Sequence, residues 1–217
     1  LTAIGERLPQ RSAGNVEPTR TVLELPSAAR DVLHPTRAVA SLLAHFHNAL
    51  WFDESGLSTS DVRQWMRVAA GEYIVNGSGG IGWGLAAAVG GAIAHPKRQV
   101  VAAIGDGSAL YASEALWSAG HQGLNNLLLV VFANRRYATL NEAASRLAGG
   151  ALQSFTIEPP VLDFSGLAQL YGLRYVSAAT EGELERFLAS AKPLRHNALL
   201  ELKLDPTLKP VTAARHF

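Results

Sequence analysis

Two kinds of apolar run alternate along the chain. Gln99–Ile104 and Asn126–Ala133 (NLLLVVFA) are short and almost unbroken, six and eight residues long. Runs without polar alternation suit strands buried on both faces, as in a parallel sheet. Ala49–Asp53, Leu173–Ser177 and Ala198–Leu204 read as further strands, and Tyr73–Val75 as a very short one. Between them the apolar spacing becomes helical. Pro35 opens a periodic run that continues to Leu50, with the proline at a favourable first helical position. Ser58–Met66, Ser108–Gly120, Asp163–Tyr171 and Glu181–Lys192 are predicted helices. So is the stretch of small residues ending at Ala94, which follows a glycine-rich loop and could pack very close to a sheet. Strands alternating with helices predict an α/β fold, a parallel sheet with helices on both faces.

Residues 1–33 carry Pro9, Pro18 and Pro26 with scattered charge, and read as a linker or remnant. Residues 34–204 are the predicted domain and 205–217 a C-terminal tail. The first residue is Leu, so a fragment or a subunit of something larger is expected. No apolar stretch approaches the ~20 residues a membrane helix needs.

Composition narrows the chemistry. There are 217 residues, 48% hydrophobic, with 19 basic against 18 acidic side chains. That balance predicts no nucleic-acid partner. The absence of cysteine excludes disulfides, thiolate catalysis and cysteine-ligated metals. It suits a reducing compartment, and a cytoplasmic location is expected.

The sharpest chemical feature is Gly105-Asp106-Gly107-Ser108, at the end of a predicted buried strand. A carboxylate there faces the ligand crevice of an open α/β sheet. The glycines permit close approach of a ligand, and a helix opening at Ser108 could receive an anion. A carboxylate beside a phosphate site suggests a bridging divalent cation, and Mg²⁺ favours such oxygen ligands. The plainer reading makes Asp106 an N-cap. Asn134 ends the next long strand, so residues 108–133 supply one helix and one strand between the two. The pair would then meet on adjacent strand ends, although Asn134 alone could simply shape a turn. His45 and His47, two residues apart, would point away from each other on a helix and make poor joint ligands.

GDGS followed by Asn at this spacing resembles the thiamine-diphosphate motif, whose usual form ends in Asn-Asn. The stretch from Glu72 to Leu140, with ALWSAG after GDGS, is similar to the diphosphate-binding domain of the benzoylformate decarboxylase-like and acetolactate synthase superfamily. LDFSGLAQLYGLRY, ALLELKLDP and DESGLSTSDVRQW also fit. The resemblance implies a 2-oxo acid decarboxylase or carboligase using thiamine diphosphate and Mg²⁺. By that resemblance, Asp106, the Asn134 side chain and the Arg136 backbone carbonyl would hold the metal. Gly79, Gly80, Gly105, Gly107, Ser108, Asn134 and Tyr137 would contact the cofactor, with Gly79 at its aminopyrimidine. Ile81 would support its bent conformation, and Thr139 and Leu140 would line the substrate pocket. Ala133 replaces the first Asn of the usual pair, and Arg135 and Arg136 stand where the family often has glycine and a small residue. The family's activating glutamate lies on a separate pyrimidine-binding domain, so this chain would be half of an active site. Its partner would come from the same longer chain or a second subunit, in a homodimer or homotetramer.

Two other readings stay open. Gly77-Ser-Gly79-Gly-Ile-Gly82 matches GxGxxG, and Asp106 ends the next strand, as in a nicotinamide-binding Rossmann domain. A non-catalytic module that keeps only the fold is the other.

Overall fold

The computed structural model describes residues 25–27, 31–66, 72–77, 79–148, 156–191, 194 and 196–208. Most of the predicted linker and residues 209–217 of the predicted tail lie outside them. The elements in chain order are α1 (Pro35–His45), β1 (Leu50–Glu54), a 3₁₀ turn (Gly56–Ser58), α2 (Thr59–Trp65), β2 (Tyr73–Val75) and α3 (Trp83–Ala94). Then come β3 (Val100–Gly105), the single-turn α4 (Asp106–Ala109), α5 (Ala115–His121), β4 (Leu127–Ala133) and α6 (Ala138–Ala148). The chain continues with α7 (Phe164–Leu170), β5 (Arg174–Ala178), α8 (Glu181–Ser190) and β6 (Ala198–Lys203).

The strands form one six-stranded sheet in the order β2-β1-β3-β4-β6-β5, and every pairing is parallel. Side chains alternate between the two faces along each strand. On one face Trp51, Val101, Val130 and Leu200 pack with Val39 and Leu42 of α1, Val62 of α2 and Leu184 of α8. On the other, Phe52, Ala102, Leu129 and Leu199 meet Leu85 and Ala88 of α3, Leu116 of α5 and Phe164 of α7. This double burial explains the unbroken apolar runs of β3 and β4. The predicted α/β class therefore holds. Among the described residues no helix is long and apolar enough to cross a membrane.

Three local expectations need correction. The helix beginning at Pro35 stops at His45 rather than running towards Leu50: Phe46 leaves the helical region at φ −105°, ψ 35°, and its carbonyl accepts from the Ala49 N–H and the Trp51 indole N–H instead of continuing the helix. His45 and His47 thus do not share a helix. The helix expected over Ser108–Gly120 is two pieces, α4 and α5. The intervening turn carries Tyr111 to Gly82: a Cβ added to Gly82 would lie 2.7 Å from that of Tyr111. Helix α6 fills a stretch where no element was expected.

The chain steps from β1 outward to the edge strand β2, then returns to place β3 on the other side of β1. Ligands of open α/β sheets bind at such a switch point, beyond the carboxyl ends of the strands. Here those ends belong to β1, β3 and, next to it, β4.

Candidate functional site: a carboxylate and an amide at adjacent strand ends

Gly105 pairs with Phe132 at the last rung of the β3–β4 ladder. Asp106 and Asn134 leave the sheet just beyond it, on neighbouring strands. Both line a cavity of about 350 Å³. The same cavity receives Gly79, Gly80 and Ile81 from the glycine-rich loop, and Gly105, Gly107 and Ser108 around Asp106. Arg136, Tyr137, Thr139 and Leu140 reach it from the turn after β4 and the start of α6. Every residue that the resemblance assigned to metal, cofactor or substrate therefore borders one space.

Asp106 is buried, with 3% of its surface exposed. Its Oδ1 accepts from the Gly107 N–H at 2.9 Å, and its Oδ2 from the Arg135 N–H at 2.5 Å. Burial nevertheless pushes its carboxyl up to about 6, against the opposing pull of the Arg135, Gly107 and Asn134 backbone N–H groups. A carboxylate so placed is short of positive charge. Asn134 Oδ1 accepts from the Arg136 N–H at 3.2 Å, and the Arg136 carbonyl accepts from the Ala138 N–H at 2.8 Å. Each of these oxygens keeps a further lone pair.

A carboxylate, an amide and a peptide carbonyl make a hard-oxygen donor set suited to Mg²⁺ with phosphate and water completing the shell. Among the described residues no three His, Cys, Asp or Glu side chains cluster as metal ligands. The candidate centre depends on mixed oxygen donors instead. Close backbone approach fits as well. A Cβ on Gly107 would fall 2.4 Å from Cε1 of Tyr137, so only glycine suits that position beneath the ring. The Tyr137 hydroxyl is pushed up by burial and by its neighbours Tyr111 and Asp106.

Sequence reasoning missed Glu54, the last residue of β1. Its two carboxylate oxygens accept from the Gly82 N–H at 2.5 Å and the Gly84 N–H at 2.7 Å. A glutamate thus occupies the N-terminus of α3, while Asn76 closes the loop by donating to the Gly80 carbonyl at 2.9 Å. The signal in the sequence was an acid at a strand end, but its target lies 28 residues away.

Glu54 also removes the Rossmann reading. There, the dinucleotide's pyrophosphate would sit at the helix N-terminus after GxGxxG. That position already holds a carboxylate, which would repel a second anion. The topology disagrees too. The strand before the glycines, β2, lies at the sheet edge, and β1 separates it from β3.

Residues 54–202 match the family described as thiamine pyrophosphate enzyme, C-terminal TPP binding domain. The chain belongs to this family. The benzoylformate decarboxylase of Pseudomonas aeruginosa is 38% identical over 160 residues, which cover 70% of this chain and 29% of that protein. The 4-hydroxybenzoylformate decarboxylase structure from Rhodococcus jostii RHA1 superposes with a TM-score of 0.75 at 31% identity, covering 84% of this chain and 34% of the other. The benzoylformate decarboxylase structure from Polynucleobacter necessarius gives 0.76 at 23% identity over 87% of this chain and 36% of its own, a likeness of fold. The chain therefore spans about a third of the length of the relatives it matches. It is a TPP-binding domain of the benzoylformate decarboxylase-like kind.

Proposed function

We propose that residues 34–204 form the thiamine-diphosphate- and Mg²⁺-binding half of a lyase or carboligase acting on 2-oxo acids. The observation that carries this reading is the meeting of Asp106 and Asn134 on adjacent strand ends, bordering one cavity with the Gly79–Ile81 loop. Asp106, Asn134 and the Arg136 carbonyl would hold the cation. Gly105, Gly107 and Ser108 would hold the diphosphate, and Tyr137 would pack beside it. Gly79, Gly80 and Ile81 would meet the organic part of the cofactor. Thr139 and Leu140, exposed at the start of α6, would face the substrate. Thiamine diphosphate, when bound, supplies an electron sink for the carbanion left as a 2-oxo acid loses CO₂.

The other half of the site would be a pyrimidine-binding domain, from the same longer chain or from a second subunit of a homodimer or homotetramer. The surface beside the cavity supports this. Ile81 on its lining and Tyr111, packed against Gly82 of the same loop, are 45% and 58% exposed, and apolar surface of that kind marks places that partners cover.

Calorimetry of the 217-residue chain with Mg²⁺ and thiamine diphosphate, and with NADH as the contrast, tests the binding reading. Binding that needs both Mg²⁺ and thiamine diphosphate is expected, and binding of NADH alone would overturn it. The chain by itself should not decarboxylate pyruvate or benzoylformate, and a matching pyrimidine-binding domain should restore a saturable rate. Decarboxylation by the pure 217-residue chain would sink the half-site argument.

A further inference from the structure

The turn after β4 has an uncommon backbone. Arg135 has φ +62°, and it is the only non-glycine residue with positive φ among the described ones. An L side chain disfavours that region, because its Cβ crowds the neighbouring carbonyl. The conformation nevertheless matters to the site. It directs the Arg135 N–H to Asp106 Oδ2 at 2.5 Å. In the same turn the Arg136 N–H meets Asn134 Oδ1 at 3.2 Å. Both side chains of the cation pair therefore take their aim from this stretch of backbone.

A second segment, residues 156–158, braces the turn from outside. Arg136 and Thr156 form an isolated antiparallel bridge. The Ile157 N–H donates to the Arg135 carbonyl at 3.2 Å. The Glu158 carboxylate pairs with the Arg135 guanidinium. The two side chains are 41% and 28% exposed, so as a general stabiliser the pair is worth little. Its leverage is local. The cost of one left-handed residue and the gain of one such pair are of the same order, so the pair can decide whether the turn stays closed.

We propose that the Arg135–Glu158 ion pair is a latch that keeps the Asn134–Arg136 turn left-handed and thereby orients Asp106 and Asn134 for a divalent cation. This rests on the metal reading above. Neither Arg135 nor Glu158 borders the cavity, so both are positioning residues. The left-handed φ makes the idea separable from ordinary surface pairing. Glycine adopts this φ without strain, so a chain with glycine at position 135 should no longer need Glu158.

Calorimetry of Mg²⁺ with thiamine diphosphate on five 217-residue chains decides it: the parent, Glu158→Gln, Arg135→Ala, Arg135→Gly, and Arg135→Gly with Glu158→Gln. Glu158→Gln should weaken binding about fivefold, the ceiling for an exposed pair. Arg135→Ala, which keeps the strain and loses the pair, should weaken it at least as much. Arg135→Gly should stay within about twofold of the parent, and adding Glu158→Gln to it should change nothing further. Melting temperatures of the ligand-free chains separate lost folding from lost aim, and the glycine chain keeps the test open if Glu158→Gln folds poorly. A parent chain that binds while Glu158→Gln binds equally well overturns the latch alone. An equal loss from Glu158→Gln in the arginine and glycine backgrounds does so too. A parent chain that binds neither Mg²⁺ nor cofactor overturns the metal reading and the latch together.

Discussion

Glu54 and Asp106 stand at the carboxyl ends of neighbouring strands, on either side of the point where the sheet reverses its order. Each carboxylate accepts two backbone N–H groups at 2.5–2.9 Å. Local hydrogen bonding therefore does not distinguish them; their surroundings do. Glu54 is half-buried and sits against the first turn of the 12-residue α3, whose aligned peptide dipoles favour a negative charge. Asp106 is deeply buried and opens α4, a helix of only four residues, too short to offer a comparable field. One acid is spent on holding a loop. Both border the same cavity, but the other remains under-compensated there, and a divalent cation would supply what it lacks.

The largest expected effect comes from removing the under-compensated acid. Asp106→Ala should abolish binding of Mg²⁺ and thiamine diphosphate, because it removes the charged side chain that would hold the cation. Calorimetry on the folded variant is the check. Binding at the parental affinity would break the contrast at its centre, since Asp106 would then be no more than a turn residue.

Removing the other acid should do something different in kind. Glu54→Ala leaves the Gly82 and Gly84 N–H groups without their carboxylate. The expected loss is about 2 kcal/mol of stability, the scale of charge-assisted bonds that are partly open to water. Denaturant melts should show it. Cofactor affinity should fall less than about tenfold, because the proposed cation ligands are untouched and only the loop loosens. A Glu54→Ala chain of parental stability that binds no cofactor would reverse the two roles.

How far the sequence foretold this contrast depends on the range of the interactions. β3 and β4 were legible because burial on both faces leaves an unbroken apolar run. Asp106 and Asn134 were legible because each directly follows such a run. Glu54 was not, since its partners are fixed only once β1 lies beside β3 and α3 starts above it. The break between α4 and α5 depends on Tyr111 reaching Gly82, a contact no local pattern encodes. Helix α6 was missed although Leu140, Ala144 and Leu147 recur at helical spacing; that stripe adds nothing to this chain's core, since Leu140 and Leu147 are exposed. The left-handed φ of Arg135 was equally hidden, because nothing in an Asn-Arg-Arg tripeptide announces it.

The smallest effect on folding should come from Ile81. In the resemblance it supports the bent cofactor, while the competing view is ordinary core packing. The side chain is 45% exposed and belongs to neither core cluster. It projects from the loop that Glu54 anchors, at the edge of the cavity that Asp106 serves. Truncating it therefore removes little buried surface, and Ile81→Ala should change stability by no more than about 0.5 kcal/mol. Any role must then show itself through the cofactor. In the enzyme completed by its pyrimidine-binding domain, turnover should fall more than cofactor affinity does, because holding reacting groups in place acts on the barrier rather than on the bound state. Denaturant melts on the chain and a comparison of turnover with cofactor affinity in the completed enzyme make the two measurements. A large loss of stability would return Ile81 to the core, and equal losses of affinity and turnover would make it a plain contact.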